Sequence, residues 1–277
     1  MHFNVKTLLI SLLVLAAAPW LGWRYYQRSQ PKPKPILQRE EITLTILPGW
    51  NLRDVADYFV KKGVASSTAD VYLVTGLPAV PFKLPIQEVR PEDSFKKFAY
   101  YNYEGYLAPE TIRFFKGATV EEVVNRFFEQ QLMELTEEMR TEVIRREITW
   151  HELLTIASLI EREARGEIDR RMVSDILWRR LQMGWAFQVD SSVHYIAGRS
   201  GDVFTTAKER DSLSLWNTYK YPGLPPGPIS MPSQQSIMAA LYPEKNSYWY
   251  FLTDHDGKMH YAPTLDEHNV NRARYLR

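Results

Sequence analysis

The sequence predicts an α+β protein with an N-terminal membrane segment, and three observations lead to this prediction. Residues 7–23 contain no charge, strand-like alternation occurs at residues 42–46 and again at residues 248–262, and amphipathic helix patterns occupy much of the remaining chain. A chain of 277 residues is long enough for one large domain or two modest ones.

Composition narrows the function classes. The net charge of +1 gives no indication of nucleic acid as the main partner. The chain has no cysteine, which excludes thiol nucleophiles, zinc–thiolate sites and disulfides. The 16 Tyr, 12 Phe and 8 Trp are compatible with a sugar-stacking site, although core packing explains most of them equally well.

Residues 1–25 are predicted to form a transmembrane anchor or a signal segment. The uncharged stretch is followed by aromatic residues typical of a membrane interface, namely Trp20, Trp23, Tyr25 and Tyr26. A cleaved signal peptide with its small-residue site at residues 16–18 is the alternative. We favour the uncleaved anchor because apolar and aromatic residues continue past the alanines, and the charge distribution leaves its orientation open.

Residues 26–40, in which proline and lysine alternate at residues 31–35, predict a stiff spacer. Residues 41–98 then predict a small module in which a strand is followed by two helices, the first capped by Asn51 and the second by a residue among 66–68. Residues 99–277 carry longer helix patterns, including a capping box at Thr119 and Glu122. This part is predicted to be a larger mixed α+β domain.

Two glutamates end the helix pattern "WHELLTIASLIEREAR". With about 100° between successive residues, Glu163 lies in the middle of the apolar stripe and Glu161 on its shoulder. We expect only Glu163 to lie where water is scarce. A buried ion pair or a solvent-reaching helix end would explain it structurally. Functionally, burial raises a carboxyl pKa, so Glu163 is a candidate general acid for cleavage of a glycosidic bond.

Other candidate sites are weaker. Asp190 in "FQVDSSVHY" suits either a sugar site or a turn, and the loop "GLPPGPI" suits either a groove wall or a rigid connector. Three histidines near the end of the chain have no metal-binding spacing of the HExxH type, so we expect no metal and no other cofactor. A nucleophilic-serine elbow and a Gly-rich phosphate loop are both missing from the sequence.

Five ordered blocks then carry a resemblance: "YEGYLAPETIRFFKGATVEEVV", "LLTIASLIEREA", "FQVDSSVHY", "WNTYKYPGLPPGPISMPS" and "YFLTDHDGKMHYAPTLDEHN". Over roughly residues 40–275 the chain resembles the YceG-like (MltG) family of endolytic murein transglycosylases. The resemblance implies an enzyme of the cytoplasmic membrane whose catalytic domain faces the cell wall. It also implies that residues 41–98 are a LysM-like module and residues 99–277 a YceG-like catalytic domain.

The resemblance implies that Glu163, the second acid of the E-x-E motif, is catalytic, and that Glu161 is the first acid. The other residues implied to contact substrate are Gln188, Asp190, Ser192, Asn217, Thr218, Tyr219, His260 and Asn269. The implied partners are peptidoglycan glycan strands, the cytoplasmic membrane through the N-terminal helix, and proteins of cell-wall synthesis, with no nucleic acid. The block around Asp190 reads "FQVDSS" and the later loop reads "WNTY", whereas the family has LQTDPT and YNTY, and these departures predict an altered substrate fit.

The resemblance implies cleavage of the β-1,4 bond between N-acetylmuramic acid and N-acetylglucosamine, with formation of a 1,6-anhydro end by a single acid–base residue. Two alternatives remain at this level. One is a hydrolytic muramidase with Asp190 as the base for a water molecule. The other is a peptidoglycan-binding scaffold without catalysis.

Overall fold

The computed structural model describes residues 19–20, 22–29, 39–80, 102–198 and 205–276, which fall into two compact units. In the first unit, Met1–Glu40, residues 19–20 and 22–29 are helical. Within the described ranges, no helix has both the length and the apolar character needed to cross a membrane. Residues 1–18 of the predicted anchor and 30–38 of the predicted linker lie outside the description, so both assignments stay predictions.

The second unit, Glu41–Arg277, opens in the order strand, helix, helix, strand. These elements are β1 (Glu41–Thr45), α1 (Leu52–Lys61), α2 (Thr68–Thr75) and β2 (Thr111–Phe115). The two strands pair antiparallel, with Glu41 opposite Phe115 and Thr45 opposite Thr111. The predicted boundary at residues 98–99 falls in the undescribed stretch 81–101, but the pairing joins a strand before it to a strand after it.

Local capping explains where the helices of this part begin. The side chain of Asn51 accepts the Arg53 amide at 2.8 Å, and Asp54 accepts the Asn51 amide in return at 2.9 Å. Ser67 caps α2 in the same reciprocal way with Asp70. Each cap satisfies backbone N–H groups that the first helical turn leaves without a partner. The predicted cap of the first helix, and the predicted range for the second, are confirmed.

The remaining elements confirm a mixed α+β architecture. They are α3 (Val120–Glu134), α4 (Glu137–Arg145), α5 (Trp150–Glu163), α6 (Glu167–Gln182), α7 (Asp190–Ala197), α8 (Ala207–Arg210), α9 (Gln234–Leu241), β3 (Tyr250–Thr253), β4 (Met259–Ala262) and α10 (Leu265–Tyr275). β3 and β4 form the predicted hairpin, with Phe251 opposite Tyr261. The predicted capping box at Thr119 and Glu122 is present at the start of α3.

Helix α5 lies at the centre of the second unit. It packs against α6 and α9 and contacts α7, and every residue from Leu153 to Ile160 is buried. The prediction of one buried stripe on this helix was therefore wrong. A helix enclosed on all sides loses the polar face on which a helical-wheel argument depends.

Residues 102–106 join α2 to the loop that precedes α9. The Asn102 side-chain amide donates to the Leu77 carbonyl at 2.8 Å, and the Tyr103 amide donates to the Thr75 carbonyl at 3.0 Å. The Gly105 amide points towards the sulfur of Met231 at 3.2 Å. This segment therefore connects the βααβ part to the loop beside α5.

His151 of α5 ties that loop to the same segment. Its Nε2 lies 2.7 Å from the Pro226 carbonyl, and its Nδ1 lies 2.7 Å from the Tyr106 hydroxyl. A carbonyl oxygen only accepts, so Nε2 carries the hydrogen, and burial lowers the pKa of His151 and favours the neutral ring. Tyr106 then donates to Nδ1, and the proline-rich loop is fixed to the central helix.

We expect the substitution Gly105→Ala to destabilise the protein strongly. Gly105 has φ +77°, and an added Cβ would lie 2.4 Å from the Cβ of Pro228. Left-handed backbone strain and overpacking together should lower the free energy of unfolding by roughly 3–5 kcal/mol. Equilibrium urea unfolding measures this loss.

Gly63→Ala is the matched control for this measurement. Gly63 has a similar φ of +73°, but no atom lies within 4 Å of its added Cβ. Backbone strain alone should cost about 1–2 kcal/mol there. Equal losses in the two variants would contradict the close approach of Gly105 to Pro228.

Candidate active site

Glu163 is the last residue of α5, and its carboxyl group faces the beginning of α7. The Ser191 amide donates to Oε1 of Glu163 at 3.2 Å. This N–H belongs to the first turn of α7, where backbone amides have no helical partner and attract negative charge. The central helix and the start of α7 therefore place one backbone donor on this carboxyl group.

The surroundings of Glu163 raise its pKa above the ordinary range. Burial is the largest cause, and the negative charge of Asp190 adds to it, while hydrogen bonding from Ser191 and the charge of Arg162 act in the opposite direction. The residue as a whole is half-buried, so part of its surface faces solvent while its carboxyl group lies in a low-dielectric setting. Such a group keeps its proton to a higher pH than an exposed glutamate does.

Asp190 lies beside Glu163 in a small hydrogen-bonded cluster. Its Oδ1 accepts the Thr205 hydroxyl at 2.6 Å and the Tyr219 hydroxyl at 2.8 Å. Burial, together with the charges of Asp190 and Glu163, strongly raises the pKa of Tyr219. Tyr219 therefore stays a hydrogen-bond donor throughout the physiological pH range.

Three of the residues implied by the resemblance are buried beneath this cluster. The Ser192 and Thr218 hydroxyls are 2.9 Å apart, and Thr218 also accepts the Val189 amide at 3.1 Å. The Asn217 side-chain amide donates to the Arg210 and Ser212 carbonyls at 2.7 and 2.8 Å. The polar groups of these three residues are hydrogen-bonded within the loops that carry Asp190 and Tyr219. The three residues therefore support these loops from beneath the site.

Gln188 has a different position from these three residues. It is exposed and has a left-handed φ of +53°, while its amide donates to the Thr218 carbonyl at 3.0 Å. This hydrogen bond to the loop fixes the backbone of Gln188, and the side chain of Gln188 remains accessible. Gln188 therefore lies at the surface of the cluster that contains Asp190.

Glu161 points to the other side of α5, towards α9. Its Oε2 accepts the Ser233 amide at 2.9 Å, the Ser233 hydroxyl at 2.5 Å and the Ser236 hydroxyl at 2.7 Å. Its Oε1 lies 3.8 Å from Arg170, and its side chain is 8% exposed. The expectation that only Glu163 lies where water is scarce was therefore wrong, because α9 covers the shoulder of the helix.

The last two predicted residues lie on the C-terminal hairpin and helix. His260 is bonded to Asp254 at 2.7 Å and stacks on Tyr275, whereas Asn269 is exposed on α10. The hairpin reaches the candidate site through Thr253, whose hydroxyl donates to the Glu163 carbonyl at 3.4 Å. No contact described in residues 39–80, 102–198 or 205–276 joins either residue to the Glu163 carboxyl group.

Sequence reasoning missed Ser191, Thr205 and Glu104. Ser191 follows Asp190 directly, and a polar cluster at a helix start is a signal for a backbone donor. Thr205 lies beyond α7 and carries no local signal. Glu104 is a buried acid in the "YEGY" block, where an acid between aromatic residues was the available signal.

Comparisons with known proteins identify the family of this chain. The model of the YceG-like family matches residues 29–274. An endolytic murein transglycosylase of Bacillus subtilis strain 168 is 32% identical over 239 residues, which is 84% of this chain and 65% of that protein. One of Streptococcus pneumoniae strain D39 is 30% identical over 249 residues, 84% of this chain and 44% of that protein. The chain thus spans less than two thirds of the length of these relatives.

A solved structure gives the same result at the level of the fold. The 2.6 Å crystal structure of a YceG-like protein from Listeria monocytogenes superimposes with a TM-score of 0.70 at 32% sequence identity. The match covers 82% of this chain and 75% of the Listeria chain. The family match extends over far more than half of the sequence, and the chain therefore belongs to the YceG-like family.

Proposed function

We propose that this protein is an endolytic murein transglycosylase. It cuts the β-1,4 bond between N-acetylmuramic acid and N-acetylglucosamine within glycan strands and leaves a 1,6-anhydro end. The observation that supports this most is the environment of Glu163, a half-buried acid with a raised pKa and one amide donor. Relatives that carry the name endolytic murein transglycosylase support the same activity.

One carboxyl group is sufficient for this reaction. Protonated Glu163 gives its proton to the glycosidic oxygen, and the bond to C1 of the muramyl residue breaks through an oxocarbenium-like state. The Glu163 carboxylate then takes the proton of the muramyl C6 hydroxyl, whose oxygen forms the new bond to C1. The proton returns to Glu163, so the residue starts the next cycle in its original state.

Asp190 and Tyr219 are proposed to prepare this chemistry. The negative charge of Asp190 favours the protonated form of Glu163 and also suits the positive charge that develops on the sugar. Tyr219 donates to Asp190 and keeps that carboxylate fixed. Gln188, as the exposed member of the cluster, is proposed to contact the glycan directly, while Ser192, Asn217 and Thr218 hold the loops.

A hydrolytic muramidase is less well supported by the same contacts. A second carboxylate would have to activate a water molecule, and Asp190 is the candidate within the described cluster. Its Oδ1 already accepts two hydroxyl groups, from Thr205 and Tyr219. Both contacts occupy the oxygen atom that would have to accept the proton of the water molecule.

The remaining assignments are proposals from the sequence and the resemblance. Residues 1–25 anchor the chain in the cytoplasmic membrane as a single span, and the catalytic part lies outside the cytoplasm. The first part of the second unit is LysM-like and contacts peptidoglycan. His260 and Asn269 extend the binding surface along the C-terminal hairpin and helix, and proteins of cell-wall synthesis are partners.

The substitution Glu163→Gln tests the acid directly. Because the amide cannot transfer the proton, we expect turnover of purified glycan strands to fall by roughly 10²–10⁴-fold. Mass spectrometry of wild-type products should show ends lighter by one water molecule than hydrolysed ends. Full activity of the variant would eliminate Glu163 as the acid, and hydrolysed ends would favour the muramidase.

The pH dependence of activity gives a second test. The reaction needs protonated Glu163, so the rate should fall as the pH rises through its raised pKa. The charge of Asp190 contributes to that raised pKa, so Asp190→Asn should move the alkaline limb of kcat to lower pH. A limb that stays in place, or moves to higher pH, would contradict the coupling between the two carboxyl groups.

Glu161 is expected to support the fold rather than the chemistry. Glu161→Ala removes the ion-pair partner of Arg170 and the acceptor of the Ser233 and Ser236 donors, which should lower the free energy of unfolding by roughly 2–4 kcal/mol. The exposed Glu129, which lies 3.8 Å from Arg126, is the control and should change by less than about 1 kcal/mol as Glu129→Ala. Activity per folded molecule should change little in either variant, and a large loss in Glu161→Ala would instead indicate substrate contact.

A further inference from the structure

A second buried glutamate lies outside the proposed mechanism. Glu104 belongs to the segment between α2 and β2 and is 1% exposed. Its two carboxyl oxygens lie 3.1 and 3.2 Å from the Leu52 amide, which is the first N–H of α1. An acid without a cation bonded to it, sealed in the protein interior, is costly and calls for a physical explanation.

The hydroxyl of Tyr195, in the middle of α7, also faces Glu104 and favours its charged form. The same hydroxyl accepts the Ala79 amide at 2.9 Å. Tyr195 is 3% exposed, so its polar end is enclosed by these groups. Glu104 and Tyr195 together connect the start of α1 and the end of the α2 region to α7.

A second contact reinforces the same junction. Arg53, the neighbour of Leu52, donates to the Tyr195 carbonyl at 3.0 Å, and its guanidinium lies 5.2 Å from the centre of the Tyr195 ring. Both the side chain and the backbone of Tyr195 are thus held by the first turn of α1. The position of α7 is set from this side.

Helix α7 carries this constraint to the candidate active site. Ser191, whose amide donates to Glu163, lies one helical turn before Tyr195 on the same helix. A turn of helix is rigid, so a shift at Tyr195 is also a shift at Ser191. Since hydrogen bonding from Ser191 lowers the pKa of Glu163, losing that contact would raise it further.

We propose that Glu104 is a positioning residue, which by fixing the first turn of α1 against the Tyr195 side chain holds α7 so that the Ser191 amide meets Glu163. This inference rests on the proposed catalytic role of Glu163. Glu104 itself does not touch substrate. It makes the position of the Ser191 amide relative to Glu163 depend on how the βααβ part packs against α7.

The protonation of Glu104 fits this role. Desolvation raises its pKa from 4.5 to about 8, against the opposing effects of the Leu52 and Tyr195 hydrogen bonds and the charge of Arg53. Asp54 on α1 adds a small increase, and Tyr72 on α2 is a further titratable group within its field. At neutral pH Glu104 is therefore mainly a neutral acid, which can accept from Leu52 and also carry a hydrogen of its own.

The effect of pH follows from the difference between the raised pKa of Glu104 in the folded protein and its ordinary pKa in the unfolded chain. The folded state binds the proton more tightly, so the stabilising contribution of Glu104 is complete below pH 4.5 and declines as the pH rises from 4.5 to about 8. Above that range a charged carboxylate lies in the junction. Desolvation opposes that charge more than the Leu52 amide and the Tyr195 hydroxyl stabilise it, so the junction is weaker where Glu104 is ionised.

The test compares Tyr195→Phe, Glu104→Leu and Glu104→Gln with a destabilised control, in the full chain and with purified glycan strands as substrate. Tyr195→Phe deletes only the hydroxyl that faces Glu104, and Glu104→Leu removes the carboxyl group at similar volume. We expect each to lower kcat about tenfold or more with KM within about twofold, because misplacement affects the acid more than binding. The alkaline limb of kcat should move to higher pH, because the Ser191 contact with Glu163 is weakened.

Glu104→Gln is the conservative rescue. The amide imitates the neutral acid, so kcat at pH 6.5 should stay within about twofold of wild type and decline less than wild type above about pH 8. Val71→Ala is the control for general destabilisation, since it trims the buried core of α2. It should lower stability by about 1–3 kcal/mol without moving the pH limb.

Unchanged kcat and an unmoved pH limb in Tyr195→Phe would overturn the proposal, as would a similar limb shift in Val71→Ala. If Glu104→Leu does not fold, Tyr195→Phe still decides, because it removes a single oxygen atom. Glu163→Gln measured in parallel separates the two levels. An inactive Glu163→Gln with a normal Tyr195→Phe refutes only the role of Glu104, whereas a fully active Glu163→Gln refutes the proposed function itself.

Discussion

The enclosure of α5 is the constraint on which the rest of the second unit depends. Because α6, α7 and α9 surround this helix, its last turn delivers two glutamates into protein on opposite sides. Glu161 meets Arg170 and the hydroxyls of Ser233 and Ser236, so its charge is compensated. Glu163 meets one amide and a negative neighbour. Two acids separated by one residue therefore have different roles, because their surroundings on the two sides of the helix differ.

Local features of the fold could be predicted from the sequence because they depend on neighbouring residues. Asn51, Thr119 and the C-terminal hairpin are set by side chains within a few positions of each other. The burial of Glu161 could not be predicted, since its donors Ser233 and Ser236 lie some seventy positions further along the chain. The helical wheel predicted a desolvated carboxyl group at Glu163, and burial does raise its pKa, but the prediction assumed a polar face that α5 does not have.

The candidate site was predictable only in part for a related reason. A resemblance identifies which positions belong to a site but not which of them present free polar groups. Here Asp190 and Tyr219 gather beside Glu163, whereas the polar groups of Ser192, Asn217 and Thr218 are used within the loops. Glu104 escaped attention because its partners Leu52 and Tyr195 come from opposite directions along the chain. Burial and hydrogen bonding decide these roles, and both are properties of the folded chain.

The pairing of β1 with β2 also has a consequence for the order of synthesis. Thr45 and Thr111 are 66 positions apart, so the sheet closes a long loop and raises the contact order of this part of the chain. When the nascent chain has emerged only as far as α2, β1 has no partner strand and its edge is unpaired. Until β2 leaves the ribosome, that edge is open to association with other strands.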